Sequence, residues 1–217
     1  EGKLTFYRSS EILEEFVAVD INSIDYVNAE FVKEVPNQNL HSKSGYELVI
    51  LSHPDFLSEA NRLADIHEEH DGVNVLVVTP EQIYNEYSSG TPDATAVRLF
   101  MRQIYESNDK ANTYLLLMGD GSFDNRALLR TSSTTINNYL LTYQGGSTYD
   151  ESATYTTDDY FGMVAPEAFQ YGKVCNGQIL VGVGRFPVSS LQEATVMVNK
   201  VEKYLNENDY GKWKNKI

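Results

Sequence analysis

Four short stretches rich in apolar and β-branched residues punctuate the chain at Tyr46–Leu51, Val73–Val78, Thr113–Met118 and Gln178–Val183. No other feature of the sequence constrains the fold as much. Each stretch is about six residues long, the length of an average strand and too short for a typical helix. Leu48-Val49-Ile50-Leu51 and Leu115-Leu116-Leu117-Met118 are apolar throughout. A strand wetted on one face alternates apolar with polar residues, whereas a parallel strand covered on both faces reads as a continuous apolar run.

The intervals carry helix signals. Ser52-His53-Pro54-Asp55 suits a helix start, Leu57, Ala60, Leu63, Ala64 and His67 recur at helical spacing, and Asp71-Gly72 closes the segment. Thr79-Pro80-Glu81-Gln82 has the form of a capping box with proline at the first helical position. Thr91-Pro92-Asp93 predicts a further cap on Thr91, ahead of the stripe Val97, Phe100, Met101 and Ile104. After the fourth run, Ser189 or Ser190 caps a helix whose face is Leu191, Ala194, Val198, Val201 and Leu205.

This alternation predicts an α/β fold, an αβα sandwich around a mainly parallel four-stranded sheet with right-handed crossovers. Residues 1–44 lack the rhythm and read as a lead-in segment, a linker from a preceding domain, with the layered unit at 45–217. The chain opens on Glu1 with no initiator methionine or leader, as expected of a processed product or an excised piece.

Composition narrows the function. Seventeen Lys and Arg against thirty-one Asp and Glu leave a net charge of −14, a field that repels phosphate backbones and anionic lipid, so no nucleic-acid partner is expected. No apolar run approaches the ~20 residues of a membrane span, so membrane association is expected only through other components. The single cysteine, Cys175, rules out an internal disulfide and a Cys-rich zinc site.

Open parallel sheets gather ligands at the carboxyl ends of their strands, and the ends here carry Ser52-His53, Thr79, Gly119-Asp120 and Gly184-Arg185. In Gly119-Asp120-Gly121-Ser122-Phe123-Asp124 the glycines allow sharp turns beside two carboxylates, so Asp120 is either a ligand to a hard cation or a self-capping turn residue. Thr157-Asp158-Asp159-Tyr160-Phe161-Gly162 places two acids before two aromatics. On an extended chain adjacent side chains face opposite ways and do not form an acid/base pair. Arg185 is expected to pair with Asp120, Asp158 or Asp159 as a scaffold ion pair, in preference to the alternative of an anion clamp. No phosphate-binding glycine motif, nucleophile elbow or complete nucleophile–base dyad is present, and Cys175 falls in a turn.

In this order, Leu48–Leu51, Leu115–Asp120, Thr157–Gly162 and Val183-Gly184-Arg185-Phe186-Pro187, followed by a helix ending near Lys203-Tyr204, resemble the first half of the gingipain catalytic domain over roughly residues 46 to 213. Within that family the stretch Gln82–Ala96, with Asn37-Gln38-Asn39-Leu40 upstream, is similar to the PorU branch, the cell-surface sortases of the type IX secretion system of Bacteroidetes.

The resemblance implies a secreted, caspase-like cysteine endopeptidase built from two side-by-side subdomains, of which this chain matches the first. Its partners would be the missing C-terminal catalytic subdomain and the protein substrates of the secretion system. The family's catalytic histidine and cysteine lie beyond the position of Trp213, so the resemblance assigns no catalytic residue here and predicts that the chain alone is inactive. It also implies structural calcium with Asp120 as a ligand. The family loop that holds another calcium is replaced by Ala165-Pro166-Glu167-Ala168-Phe169-Gln170. The alternative is a non-catalytic αβα domain that binds a metal or a partner through Asp120, Asp158 and Asp159.

Overall fold

The computed structural model describes residues 33–109, 111–128, 138–145, 155–165 and 177–206, with positions 5, 7, 20, 22, 30 and 31. The chain divides into two units, Glu1–Asn37 and Gln38–Ile217. In the first, the Asn22 N–H donates to the Asp20 carboxylate (2.9 Å).

The second unit is built on β1 (Leu48–Ser52), β2 (Val75–Val78), β3 (Tyr114–Met118) and β6 (Gly182–Phe186). They form one sheet in the order β2-β1-β3-β6, with every pair parallel. Leu48 lies opposite both Val75 and Tyr114, and Tyr114 opposite Gly182. Helices α1 (Leu57–Asp71) and α5 (Leu191–Asn206) cover one face. Helices α2 (Pro80–Tyr87), α3 (Ala94–Ser107) and the short α4 (Asp159–Gly162) cover the other. The expected αβα sandwich is the observed fold.

Alternate residues of the apolar runs enter the two cores. Val49, Leu51, Leu115 and Leu117 pack with Ile83, Phe100 and Ile104. Ile50 and Met118 pack with Phe56, Leu63, Ala194 and Val198. Fully burying one such side chain contributes about 1.5–3 kcal/mol, so each central strand stabilises both layers at once.

Local chemistry sets the helix ends. The His53 ring accepts from the Asp55 N–H (3.3 Å) and caps a 3₁₀ turn, Pro54–Phe56, that leads into α1. Gly72, at φ 69°, ends that helix in the left-handed conformation that glycine adopts without strain. The Thr79 N–H donates to Gln82 Oε1 (2.8 Å) while the Gln82 N–H donates to Thr79 Oγ1 (3.4 Å), completing the expected capping box on α2. For α5 the cap is Ser190, whose hydroxyl accepts from the Glu193 N–H (3.2 Å).

Two boundaries differ from expectation. Helix α3 starts on Asp93 rather than Thr91: the Asp93 carboxylate accepts from the Thr95 N–H (2.7 Å), while the Thr91 N–H is turned back to the Ser88 carbonyl (3.0 Å). The fourth strand is Gly182–Phe186, not Gln178–Val183. Leu180 and Val181 donate their N–H groups to the Gly162 carbonyl at the end of α4 (2.9 and 3.3 Å), so the ladder begins only where the Gly182 N–H reaches the Thr113 carbonyl (3.1 Å). Arg185 consequently lies within a strand, opposite Leu117, rather than in the loop beyond it.

Between β3 and α4 a short ribbon forms, β4 (Tyr143–Gln144) against β5 (Thr156–Thr157), antiparallel. Cys175 and Pro166–Gln170 lie outside the described residues.

Candidate functional site

The carboxyl ends of β3 and β6 meet the loops that follow β3. Gly119, at φ 150°, turns the chain off β3, and a Cβ there would stand 3.0 Å from Tyr139 Cβ and 3.1 Å from Leu140 Cγ. Glycine meets both demands. Its N–H donates to the Phe186 carbonyl (3.0 Å) and the Asp120 N–H to the Val188 carbonyl (2.9 Å), so the turn extends the β3–β6 pairing past the strand ends.

A second loop is laced onto this turn. The Asp120 carbonyl accepts from the Tyr139 and Leu140 N–H groups (3.0 Å each). Thr142 Oγ1 donates to the Ser122 carbonyl (2.8 Å), Asn125 Nδ2 to the Thr142 carbonyl (2.8 Å) and Ser122 Oγ to Asn138 Oδ1 (2.6 Å). Short polar side chains serve here as substitutes for a backbone ladder.

Arg185 is the centre of the cluster. Nε donates to Asp158 Oδ2 and Nη2 to Asp158 Oδ1, both at 2.7 Å, the bidentate geometry that a guanidinium fork favours. The remaining donors reach the Gly119 carbonyl (Nη1, 2.8 Å) and the Leu141 carbonyl (Nη2, 3.0 Å). One side chain thus joins β6, the turn after β3, the 138–142 loop and the segment entering α4. Its side chain is 12% exposed, so the pair is largely removed from water and its partners must offset the desolvation cost.

Of the three acids expected to compete for Arg185, Asp158 holds it. Asp159 is exposed, and its N–H donates to Thr157 Oγ1 (3.1 Å). The pair departs from the extended geometry expected of it, because Asp158 is already helical in backbone and Asp159 opens α4. Tyr160 and Phe161 are buried. Tyr160 stacks on Tyr143 at 3.8 Å between ring centres and lies under the Arg98 guanidinium at 4.7 Å.

Arg98 is a residue that sequence reading missed. It is 1% exposed, and its Nε donates to the Met163 carbonyl (2.5 Å). The available signal was its place on the apolar side of α3, three residues before Met101.

The histidines play structural parts. His53 caps the turn before α1 and packs edge-on against Tyr139 at 5.0 Å. The adjacent Ser52 is fully buried and donates to the His53 carbonyl (3.0 Å), so it is not activated as a nucleophile. His67 and His70 each donate to Asp71 (2.6 Å), and these bonds hold its carboxyl below the usual range. Thr79 is spent on its capping box.

Asp120 was read as either a metal ligand or a self-capping turn residue. Its Oδ1 accepts from the Gly121 N–H (2.9 Å), the local bond expected of the second reading. Calcium takes 6–8 oxygen ligands, but no group of three or more His, Cys, Asp or Glu suited to a metal occurs among the described residues. The Arg185 guanidinium already supplies a cation beside this turn, 3.3 Å from where a Gly121 Cβ would stand. Among the described residues Asp120 is thus seen in its turn-residue role.

Residues 41–217 match the sequence profile of Peptidase family C25. The chain belongs to that family, the gingipains. A search of curated proteins returned no match. Among solved structures, the chain is similar to dimeric latent PorU from Porphyromonas gingivalis, with 37% identity and a TM-score of 0.72 over 84% of this chain and 18% of that one. The complex of the pro- and mature domains of RgpB, also from Porphyromonas gingivalis, aligns at 16% identity with a TM-score of 0.45 over 73% of this chain and 29% of that chain. The chain thus spans less than a fifth of the PorU structure it matches. Among the described residues no helix is long and apolar enough to cross a membrane.

Proposed function

We propose that this C25 chain is the N-terminal scaffold subdomain of a gingipain-like cysteine endopeptidase, and that the parent enzyme removes C-terminal sorting signals as a sortase of the type IX secretion system. The observation that carries the reading is the PorU likeness, which extends over most of this chain but a small share of that protein. In this reading the catalytic histidine and cysteine come from polypeptide beyond the segment, and the enzyme works outside the cell at its surface. The layered unit at 45–217 is the part that belongs to the catalytic domain.

The flank formed by β6 and α5 is the proposed seat of the second subdomain. Leu191 and Val196 are 48% and 59% exposed there, and a shallow groove lined by Pro187, Val188, Val196 and Met197 runs between strand end and helix. Apolar surface rimmed by polar residues marks such contacts, and the match leaves a large part of a PorU-sized chain to supply the occupant. Calcium belongs to the proposal only for the longer protein, with Asp120 as one ligand among oxygens from outside the described residues.

The test is to express the longer protein encoded by the continuing reading frame and to assay cleavage of peptides carrying a C-terminal sorting signal. Thiol-sensitive cleavage by the longer protein supports the reading. Its absence from a folded longer protein, or a reading frame without a downstream His-Gly motif and a later cysteine, favours a non-catalytic binding domain.

A further inference from the structure

The sheet has two edges, β2 and β6, and they are finished differently. In the ladder with β3, the Gly182 N–H donates to the Thr113 carbonyl (3.1 Å) and the Phe186 carbonyl accepts from the Gly119 N–H (3.0 Å). Successive peptide groups point to opposite sides of a strand, so alternate residues bond to the same neighbour. Gly182, Gly184 and Phe186 therefore face β3, and the N–H and C=O groups of Val183 and Arg185 point out of the sheet. Among the described residues these groups have no hydrogen-bond partner. On β2 the Asn74 carbonyl accepts from the Leu48 N–H (3.3 Å), which turns Val75 outward, and there the Val75 N–H donates to Glu68 Oε1 (3.3 Å).

An open edge is a template for another strand, and a charge or a proline within the strand is a common guard against one. In β6 the one charge is turned inward, because the Arg185 guanidinium bonds to Asp158, Gly119 and Leu141, and proline comes only after the strand, at Pro187. Gly184 points the same way. It is exposed, and a Cβ there would meet only Leu116 Cδ1, at 4.0 Å. Neither crowding nor backbone conformation demands glycine at this position. A glycine inside a strand also marks the close approach of a second backbone, and this one sits between the two residues whose peptide groups are open.

Topology narrows the source of that backbone. Helix α1 lies on the face that carries α5, and it returns the chain from β1 to β2, away from β6. Crossovers between parallel strands are right-handed, so a parallel strand reached through α5 would step back in the same direction rather than out beyond β6. The neighbour of β6 thus comes from a separately wound sheet. Beside the edge run Val196 and Met197 of α5, with Val196 59% exposed, the flank already assigned to the second subdomain.

We propose that the second subdomain adds a strand to the free edge of β6, pairing with the peptide groups of Val183 and Arg185, so that one continuous sheet runs through both halves of the enzyme. The inference rests on the proposed function and deepens it by naming how the halves join. The occupant is a later part of the same polypeptide, for which the alignment leaves ample length, since it covers only 18% of the PorU chain. Main-chain bonds supply the attachment in strand addition, and the apolar side of α5 supplies the packing around it.

The test compares amide exchange in the 217-residue chain and in the longer protein. In the shorter chain the Val183 and Arg185 amides should exchange faster than those of Gly182 and Gly184, and in the longer protein both should slow about tenfold or more. Val183→Pro removes one outward donor at a position where an edge strand accepts proline. It should leave the circular dichroism of the shorter chain unchanged, while in the longer protein it returns the Arg185 amide to fast exchange. If that variant misfolds, the wild-type comparison decides alone. Val183 and Arg185 amides that exchange equally fast in both proteins would overturn the inference, and if the longer protein still cleaves its peptide the peptidase reading survives without it. Slowed amides in a longer protein that does not cleave would leave the added strand standing and remove the peptidase reading. Protection already present in the shorter chain and rising with its concentration would identify a second copy as the occupant and overturn the inference as well.

Discussion

The centre of the sheet and its β6 edge are held together by different means. At the centre, β1 and β3 bury apolar side chains on both faces and need little beyond their own composition. At the edge, β6 carries two glycines and an arginine, and Arg185 makes the order there through Asp158, Gly119 and Leu141. The centre is stabilised by many weak, non-directional contacts. The edge depends on a few directional ones, so its failure should be local and its sensitivity concentrated in single residues.

The largest effects test this contrast directly. Phe100→Ala removes a fully buried ring from the α3 core and should cost about 3–5 kcal/mol, read as a lower urea midpoint for the whole unit. Arg185→Ala leaves Asp158 largely buried without its partner and should cost about 3–5 kcal/mol. Its signature should differ: amide exchange should rise around residues 119–121, 138–142 and 158–161 before it rises in β1. Exchange rising equally in β1 would erase the distinction. Asp158→Asn in the Arg185→Ala background should add little further loss, because the two residues act as one unit.

A middle effect concerns the clasp where the second unit begins. Glu86 accepts from the Leu40 N–H (2.7 and 2.8 Å), the His41 N–H (3.2 Å) and Gln38 Nε2 (2.9 Å), while Gln103 Nε2 donates to the Leu40, His41 and Lys43 carbonyls. Burial alone would raise the Glu86 carboxyl, but these donors outweigh it and hold the group below its ordinary value. A carboxylate lowered on folding contributes stability that is fully present above its unfolded pKa, about 4.3, and is lost as pH falls through the folded value. Glu86→Gln should cost about 1–3 kcal/mol at neutral pH and flatten the acid limb of the stability profile. An unchanged acid limb would show that the clasp contributes nothing. The neighbouring Tyr87 hydroxyl, pushed up to about 12 by burial and by Glu86, stays protonated throughout this range.

The smallest effects separate two glycines in one strand. Gly184→Ala meets only Leu116 Cδ1, at 4.0 Å, and should stabilise by about 0.4–1 kcal/mol through the unfolded chain. Gly182→Ala meets the Tyr114 ring at 2.8 Å and should destabilise. Equal melting shifts would mean that the ring moves aside without cost.

The same contrast explains what could be read from the sequence. Leu48–Leu51 and Leu115–Met118 reveal their strands because burial on both faces is a property of the residues themselves. The Thr79–Gln82 box and Gly72 mark helix ends because their bonds span only three or four positions. The fourth strand was misplaced because Ile179-Leu180-Val181 is the more apolar run, yet the Leu180 and Val181 N–H groups go to Gly162, eighteen or more residues away. Arg185 was legible as a pairing residue but not its choice of Asp158, which β3–β6 register and the fold of α4 decide. Arg98 and the Glu86 clasp were invisible for the same reason, since their partners lie more than forty positions distant in sequence.

We propose that this C25 segment is scaffold and that the reactive centre belongs to the longer protein. The most direct measurement is labelling of the folded chain by a peptide-based, thiol-directed peptidase probe, beside turnover of a peptide substrate. The account predicts no turnover and only the slow modification of an ordinary thiol at Cys175. Rapid, substrate-protected labelling together with specific turnover that Cys175→Ala abolishes would contradict it.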